Sequence, residues 1–121
     1  MSRIDIIKGY LTELNLDALY ITHIPNIRYL SGFSGSSAYI IITKDKNYFF
    51  TDFRYKTQSA GQVKGFEIEV NFSPAVKIKE TILNAKLVNI GFESTHLTIH
   101  QLEQLKESLP GVNFVSVPER I

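Results

Sequence analysis

The sequence of 121 residues contains no cysteine, which excludes a disulfide framework and a thiolate metal site. It has no run near the ~20 apolar residues that a helix needs to cross a bilayer. The start, Met-Ser-Arg-Ile-Asp, lacks the apolar region of a signal peptide. Together these absences predict a cytoplasmic location and no membrane partner.

An excess of charge of one sign is also missing. Thirteen Lys and Arg stand against twelve Asp and Glu, giving a formal net charge of +1 that is spread along the chain. An obligate nucleic-acid partner would favour a basic patch, so none is predicted. What is present, 44% hydrophobic and 21% charged residues, is typical of a globular protein and predicts one domain over residues 1–121.

The spacing of apolar residues predicts an α/β fold with strands near 18–22, 38–43, 48–51, 66–70, 87–92 and 113–117. The first of these is apolar on both faces, which predicts helices on both sides of the sheet. The polar link 44–47 suits an antiparallel hairpin, so the sheet must be mixed. Residues 66–70 alternate in polarity and are expected at an edge.

Capping signals mark the helices between these strands. Thr98 with Gln101 forms a capping-box pattern, Asp52 can cap a helix over 54–62, and Gly32 can end a short helical turn. Further expectations are an opening helix with the apolar face Ile4, Ile7, Leu11 and Leu14, capped at Ser2, and a helix begun by Ser73-Pro74 with the buried face Ala75, Ile78 and Ile82.

Catalytic and metal-binding patterns fail on spacing. His96 and His100 are four residues apart, but a cap at Thr98 places His96 before the helix, and His23 has no recognisable ligand spacing. The segment 32–35 contains neither a Gly-x-Ser-x-Gly elbow nor a Gly-x-Gly-x-x-Gly loop. We therefore predict no catalytic residue and no metal ligand in this chain.

Two segments are harder to explain by packing alone, namely 26–33, which contains Asn, Arg and Tyr, and Thr51-Asp52-Phe53-Arg54-Tyr55. Arg54 stands at a strand-to-helix junction, where its planar guanidinium could bind a carboxylate of a ligand. A structural bond to Asp52 or to a helix end is the equal alternative.

These segments carry a resemblance. The run 26–33, the Gly/Ser loop, the hydrophobic hairpin, 51–55, 63–68 and 90–93 follow one another as in the amino-terminal domain of bacterial Xaa-Pro aminopeptidases and Xaa-Pro dipeptidases, of the creatinase/prolidase family. The resemblance covers nearly the entire chain. It implies a mixed α/β domain of ribonuclease H-like fold.

In that family a carboxy-terminal pita-bread domain holds two divalent metal ions, usually manganese, with two Asp, one His and two Glu. None of those ligand motifs is present here, so the resemblance implies a non-catalytic domain of a metal-dependent Xaa-Pro aminopeptidase whose catalytic domain is absent from this chain. It further implies contacts with that domain, a homodimer, and proline-containing peptides as substrates.

The resemblance also implies a role for particular residues. Amino-terminal domains of the family shape the substrate entrance and present side chains to the neighbouring subunit, which makes Arg54, Asn26, Tyr55 and Phe33 candidates for substrate binding in trans. Two alternatives stay open: a peptide- or protein-binding module of a catalytically inactive relative, and a free-standing α/β interaction domain in which Arg54 is structural.

Overall fold

A computed structural model describes residues 3–117. It shows six strands and five α-helices in that range, with a single-turn 3₁₀ helix before the third α-helix. In chain order the elements are α1 (Arg3–Glu13), β1 (Ala18–Ile21), α2 (Ile24–Ser31), β2 (Tyr39–Thr43), β3 (Asn47–Thr51), the 3₁₀ turn Phe53–Tyr55, α3 (Lys56–Gln62), β4 (Glu67–Val70), α4 (Pro74–Asn84), β5 (Asn89–Glu93), α5 (Ile99–Ser108) and β6 (Asn113–Val117).

The strands form one mixed sheet in the order β4-β3-β2-β1-β5-β6. Antiparallel pairing joins β1 to β2 and β2 to β3, while β1–β5, β5–β6 and β3–β4 are parallel. The mixed α/β sheet, its antiparallel hairpin and the edge position of β4 are thereby confirmed. Five strands end, and β2 begins, on the same side, which we call the carboxyl end of the sheet.

Both faces of the sheet are covered, as the doubly apolar first strand predicted. On one face Ile7 and Leu11 of α1, Ile27 of α2 and Val63 after α3 pack in one apolar cluster. On the opposite face Ile78 and Ile82 of α4, with Leu109 after α5, form a second cluster. Full burial of a side chain of this size contributes roughly 1.5–3 kcal/mol, so these stripes fix which face each helix covers. No helix among the described residues could span a membrane.

Local signals position the chain at the ends of the elements. The Thr98 hydroxyl accepts a hydrogen bond from the Gln101 amide, and the Gln101 side chain accepts one from the Thr98 amide, which confirms the capping box. Gly32 ends α2 with a φ of 81°, a left-handed conformation that glycine adopts without strain. These devices set where the loops at the carboxyl end begin.

Several boundary and burial predictions were wrong. Asp52 caps the 3₁₀ turn, and the α-helix starts only at Lys56. Ala75 is exposed on the wall of an open groove between α4 and α5 and does not join the buried face. Thr22 lies outside β1, because its amide donates to the Glu93 side chain. The predicted cap at Ser2 falls outside the described residues.

Candidate functional site

The carboxyl end of the sheet gathers all four candidate residues. Asn26 lies in α2, directly after β1, Phe33 lies in the loop before β2, and Arg54 and Tyr55 follow β3. In open α/β sheets ligands bind at the carboxyl ends of the strands, so this is the side where a ligand is expected. The residues form two groups, one around Glu93 and one around Arg54.

The first group, the Glu93 cluster, comprises Glu93, Thr22, His23 and Asn26. Glu93 ends β5 and is only 7% exposed. Its Oε1 accepts hydrogen bonds from the Thr22 amide at 2.8 Å and the His23 amide at 3.0 Å, and its Oε2 accepts one from Asn26 Nδ2 at 2.5 Å. A buried carboxylate needs such donors, so Glu93 fastens the start of α2 to β5. The Asn26 amide group is engaged within the domain.

Two histidines stack beside this cluster. The rings of His23 and His96 lie 3.5 Å apart between centroids and are tilted by 7°. His96 precedes α5, as the Thr98 cap predicted, so it shares no helix face with His100. In the described part of the chain, no three His, Cys, Asp or Glu side chains come together in a way that could hold a metal ion. The described residues around this cluster therefore do not fit a metal centre.

The second group is the Arg54 segment, Asp52 to Tyr55. Arg54 Nε and Nη2 donate to the two carboxylate oxygens of Asp52 at 3.0 and 2.8 Å, while the guanidinium carbon lies 5.2 Å from the Tyr55 ring centroid. The hydrogen bond from Arg54 lowers the pKa of Asp52, and the same bond raises the pKa of Arg54. The Arg54 side chain is nevertheless 69% exposed, which leaves its other N–H donors open to solvent.

Tyr55, the last residue of this segment, is held by contacts with Ser36 and Phe33. The Tyr55 hydroxyl lies 2.8 Å from Ser36 Oγ, and hydrogen bonding from Ser36 lowers the pKa of Tyr55. Phe33 is 1% exposed and meets the rings of Tyr55 and Phe49 edge-on at 5.2 and 5.0 Å. Phe33 thus has almost no free surface for a ligand in this conformation, and its contact with Tyr55 is structural.

Gly35 allows this packing. A Cβ at Gly35 would lie 2.3 Å from Phe33 Cζ and 2.9 Å from Tyr55 Cε1, which is too close for any side chain. The loop is also tied to α3, because the Ser34 amide donates to Gln62 Oε1 at 2.9 Å. The Gly/Ser loop is therefore a packing element that holds Tyr55 at the carboxyl end.

An exposed aromatic pair adjoins Arg54. Phe53 and Phe72 meet edge-on at 4.6 Å, and Phe72, which follows β4, is 90% exposed. An isolated exposed apolar residue needs no explanation, but a paired aromatic surface is typical of a contact with another protein surface. The sequence reasoning missed this pair, since Phe53 and Phe72 belong to different elements.

Glu93 was missed as the centre of its cluster for a similar reason. The sequence signal that could have identified Glu93 is a carboxylate at the end of an apolar strand, as in Ile90-Gly91-Phe92-Glu93. The three donors lie 67 to 71 residues earlier in the chain, so only the parallel pairing of β1 and β5 brings them together.

The sequence model of the creatinase/prolidase N-terminal domain matches residues 3–121. A curated relative, the uncharacterized peptidase YqhT of Bacillus subtilis, is 32% identical over 120 residues, which cover 98% of this chain and 34% of the relative. The chain thus spans about a third of that relative's length.

Solved structures agree with the sequence match. An Xaa-Pro dipeptidase from Bacillus anthracis superposes with a TM-score of 0.89 at 25% identity, over 95% of this chain and 32% of that one. The N-terminal domain of the cytoplasmic peptidase PepQ from Mycobacterium tuberculosis superposes with a TM-score of 0.84 at 33% identity, over 96% of this chain and 91% of that one. The chain belongs to the creatinase/prolidase N-terminal domain family.

Proposed function

We propose that this chain is the non-catalytic amino-terminal domain of a cytoplasmic Xaa-Pro aminopeptidase, and that it shapes substrate access to a catalytic domain elsewhere in the parent protein. The observation that carries the proposal is the family match over residues 3–121, with relatives described as peptidases that are about three times as long. The lack of a metal-holding group among the described residues is consistent with it.

Bond cleavage itself belongs to the proposed catalytic domain. There, two divalent metal ions, manganese in the family pattern, would supply an activated hydroxide for attack on the tertiary amide before proline. Nothing in the described part of this chain takes part in that step. Its contribution is binding and positioning, in a homodimer where one subunit's amino-terminal domain faces the other's catalytic domain.

The Arg54 segment supplies the binding function in this proposal. Asp52 holds one edge of the guanidinium, so the remaining N–H donors point from a fixed plane, which suits bidentate capture of a peptide carboxylate. Tyr55 packs beneath the charge, and Phe33 holds Tyr55 in place. Asn26, fastened by Glu93, positions the start of α2 at the same end of the sheet.

A direct assay tests the division of labour. The purified 121-residue chain, given Mn²⁺ and Xaa-Pro dipeptides or longer Xaa-Pro peptides, is expected to release no product. The full-length parent is expected to hydrolyse the same peptides, and its preference between the two lengths separates an aminopeptidase from a dipeptidase. Sustained turnover by the chain alone would refute the non-catalytic assignment.

Arg54→Ala in the full-length parent is expected to reduce kcat/KM for Xaa-Pro peptides by about tenfold or more, because charge-assisted hydrogen bonds to the substrate are lost. The thermal unfolding midpoint should hardly change, since an exposed ion pair contributes little to stability. Steady-state kinetics and calorimetry measure the two effects.

Two variants sharpen this test. Arg54→Lys keeps the charge but not the planar fork, so it should recover only part of the activity. Lys56→Ala removes a neighbouring exposed cation and should leave kcat/KM unchanged. If Arg54→Ala keeps full kcat/KM but lowers the unfolding temperature, Arg54 is structural and the substrate role is wrong.

Phe72→Asp is expected to weaken dimerisation of the full-length parent by about tenfold or more, because it places a carboxylate on the exposed aromatic pair. The matched control is Ile99→Asp, at an exposed apolar position on α5. Sedimentation velocity over a concentration series measures the dimer constant. Equal dimer constants for the two variants would remove the Phe53–Phe72 pair from the interface.

A further inference from the structure

A groove opens between α4 and α5, on the face of the sheet opposite α1. Its volume is about 220 Å³. The stacked rings of Tyr20 and Tyr39 form its floor, with centroids 6.3 Å apart, and Ile78 of α4 and Leu105 of α5 line its walls. None of the four candidate substrate residues contributes to it. The groove is therefore separate from the Arg54 segment, and it adjoins the Glu93 cluster through Thr22, which also lines the groove.

The hydroxyl of Tyr20 is a polar group on the otherwise apolar floor of the groove. The residue is 7% exposed and lines the groove. Burial raises the pKa of Tyr20, so the group stays a neutral hydroxyl that can donate. A carboxylate bound in the groove would accept a charge-assisted hydrogen bond from this hydroxyl.

Lys79 adds charge selectivity. Its side chain lines the same groove from α4, and no carboxylate lies among the residues that line it. Within residues 3–117 no ion pair to Lys79 is formed. Gln101 and Gln104 of α5 supply neutral amides on the opposite wall. Among the described residues that line the groove, Lys79 thus carries the formal charge, and its ammonium favours an anion.

We propose that this groove binds a small carboxylic acid with an aromatic or branched aliphatic body. The body packs on the Tyr20 and Tyr39 rings and against Ile78 and Leu105, and the carboxylate accepts from the Tyr20 hydroxyl and the Lys79 ammonium. Sites for drug-sized ligands occupy roughly 300–1,000 Å³, so the smaller groove suits a compact acid. The proposal does not depend on the peptidase assignment.

Titration of the ¹⁵N-labelled chain with 3-phenylpropionate tests the site. We expect saturable shifts in amide signals of β1, α4 and α5, with a Kd on the order of 1 mM or tighter for a ligand of this size. The neutral analogue 3-phenylpropionamide should bind about tenfold more weakly, because it cannot pair with Lys79. Shifts that do not saturate, or that spread over both faces of the sheet, would overturn the proposal.

Variants assign the contacts. Tyr20→Phe removes the floor hydroxyl and should weaken 3-phenylpropionate about fivefold. Lys79→Gln should reduce the affinity for the acid to that for the amide. Ala75→Trp, at an exposed wall position, should block the groove while leaving the fold intact.

The control variants remove the same kinds of side-chain group at positions outside the groove. Tyr48→Phe removes a tyrosine hydroxyl from β3, and Lys106→Gln removes a cation from α5, and neither residue lines the groove. Both should bind 3-phenylpropionate like the unmodified chain. Undiminished binding by Ala75→Trp with a native amide spectrum, or equal affinity for acid and amide, would refute the site.

Discussion

Phe33→Ala is expected to lower the free energy of unfolding of the chain by about 4 kcal/mol, as large-to-small changes of buried phenylalanines do. The ring is 1% exposed and lies between Phe49 and Tyr55, so its removal leaves a cavity under the Arg54 segment. Urea unfolding followed by circular dichroism should show a lower midpoint with an unchanged m-value.

Phe53→Ala is the matched control, because Phe53 is exposed and removing its ring costs little core packing. The comparison also decides how Phe33 acts in the parent enzyme. If Phe33→Ala leaves stability near that of Phe53→Ala and lowers kcat/KM alone, Phe33 contacts the substrate directly. The packing role would then be wrong.

Glu93→Ala is expected to destabilise the chain by about 3 kcal/mol, because three partly buried donors would lose a charged acceptor. The amides of Thr22 and His23 and the side chain of Asn26 would all lose their partner. Chemical unfolding of the 121-residue chain measures the loss.

The isosteric change Glu93→Gln separates shape from charge. Its carbonyl oxygen can still accept from the Thr22 and His23 amides, while its NH₂ group faces Asn26, whose amide must turn to accept. We expect a cost of about 1 kcal/mol. Glu107→Ala, on the exposed side of α5, controls for loss of an acidic residue. Equal stability of Glu93→Ala and Glu107→Ala would exclude Glu93 as a structural fastener.

Features that depend on a few neighbouring residues were predictable from sequence. The Thr98–Gln101 capping box, the left-handed Gly32 and the hairpin across 44–47 are each encoded within a short segment. The edge position of β4 followed from its alternating polarity, because an edge strand faces water on one side. These elements were sufficient to give the fold class.

The inner geometry of the carboxyl end was not predictable in this way. The residues next to Glu93 in sequence do not predict which donors bond its carboxylate. The residues next to His23 do not predict that its ring stacks on the ring of His96. Both contacts depend on the three-dimensional placement of β1 beside β5. The exposure of Ala75 likewise depends on the separation of α4 from α5, which helical periodicity does not encode.

Arg54 illustrates a partial success. A structural bond to Asp52 or to a helix end was one of two equal expectations for Arg54, and the structure contains the bond to Asp52. The bond to Asp52 does not prevent Arg54 from also binding a substrate carboxylate, because the guanidinium has N–H donors on more than one side. The kinetic and thermal effects of Arg54→Ala are therefore the measurement that separates the two roles.

The position of β4 at the end of the sheet also bears on how concentrated solutions of the chain behave. The unpaired outer edge of such a strand can recruit a second molecule and start aggregation, which short length and charged side chains oppose. β4 has four residues, and Glu67 and Glu69 alternate along it. Their nearest cations, Lys46 and Lys77, are each 3.8 Å away, so the pairs are loose. Two copies docking through β4 would bring carboxylates together, and this repulsion favours solubility over fibril growth.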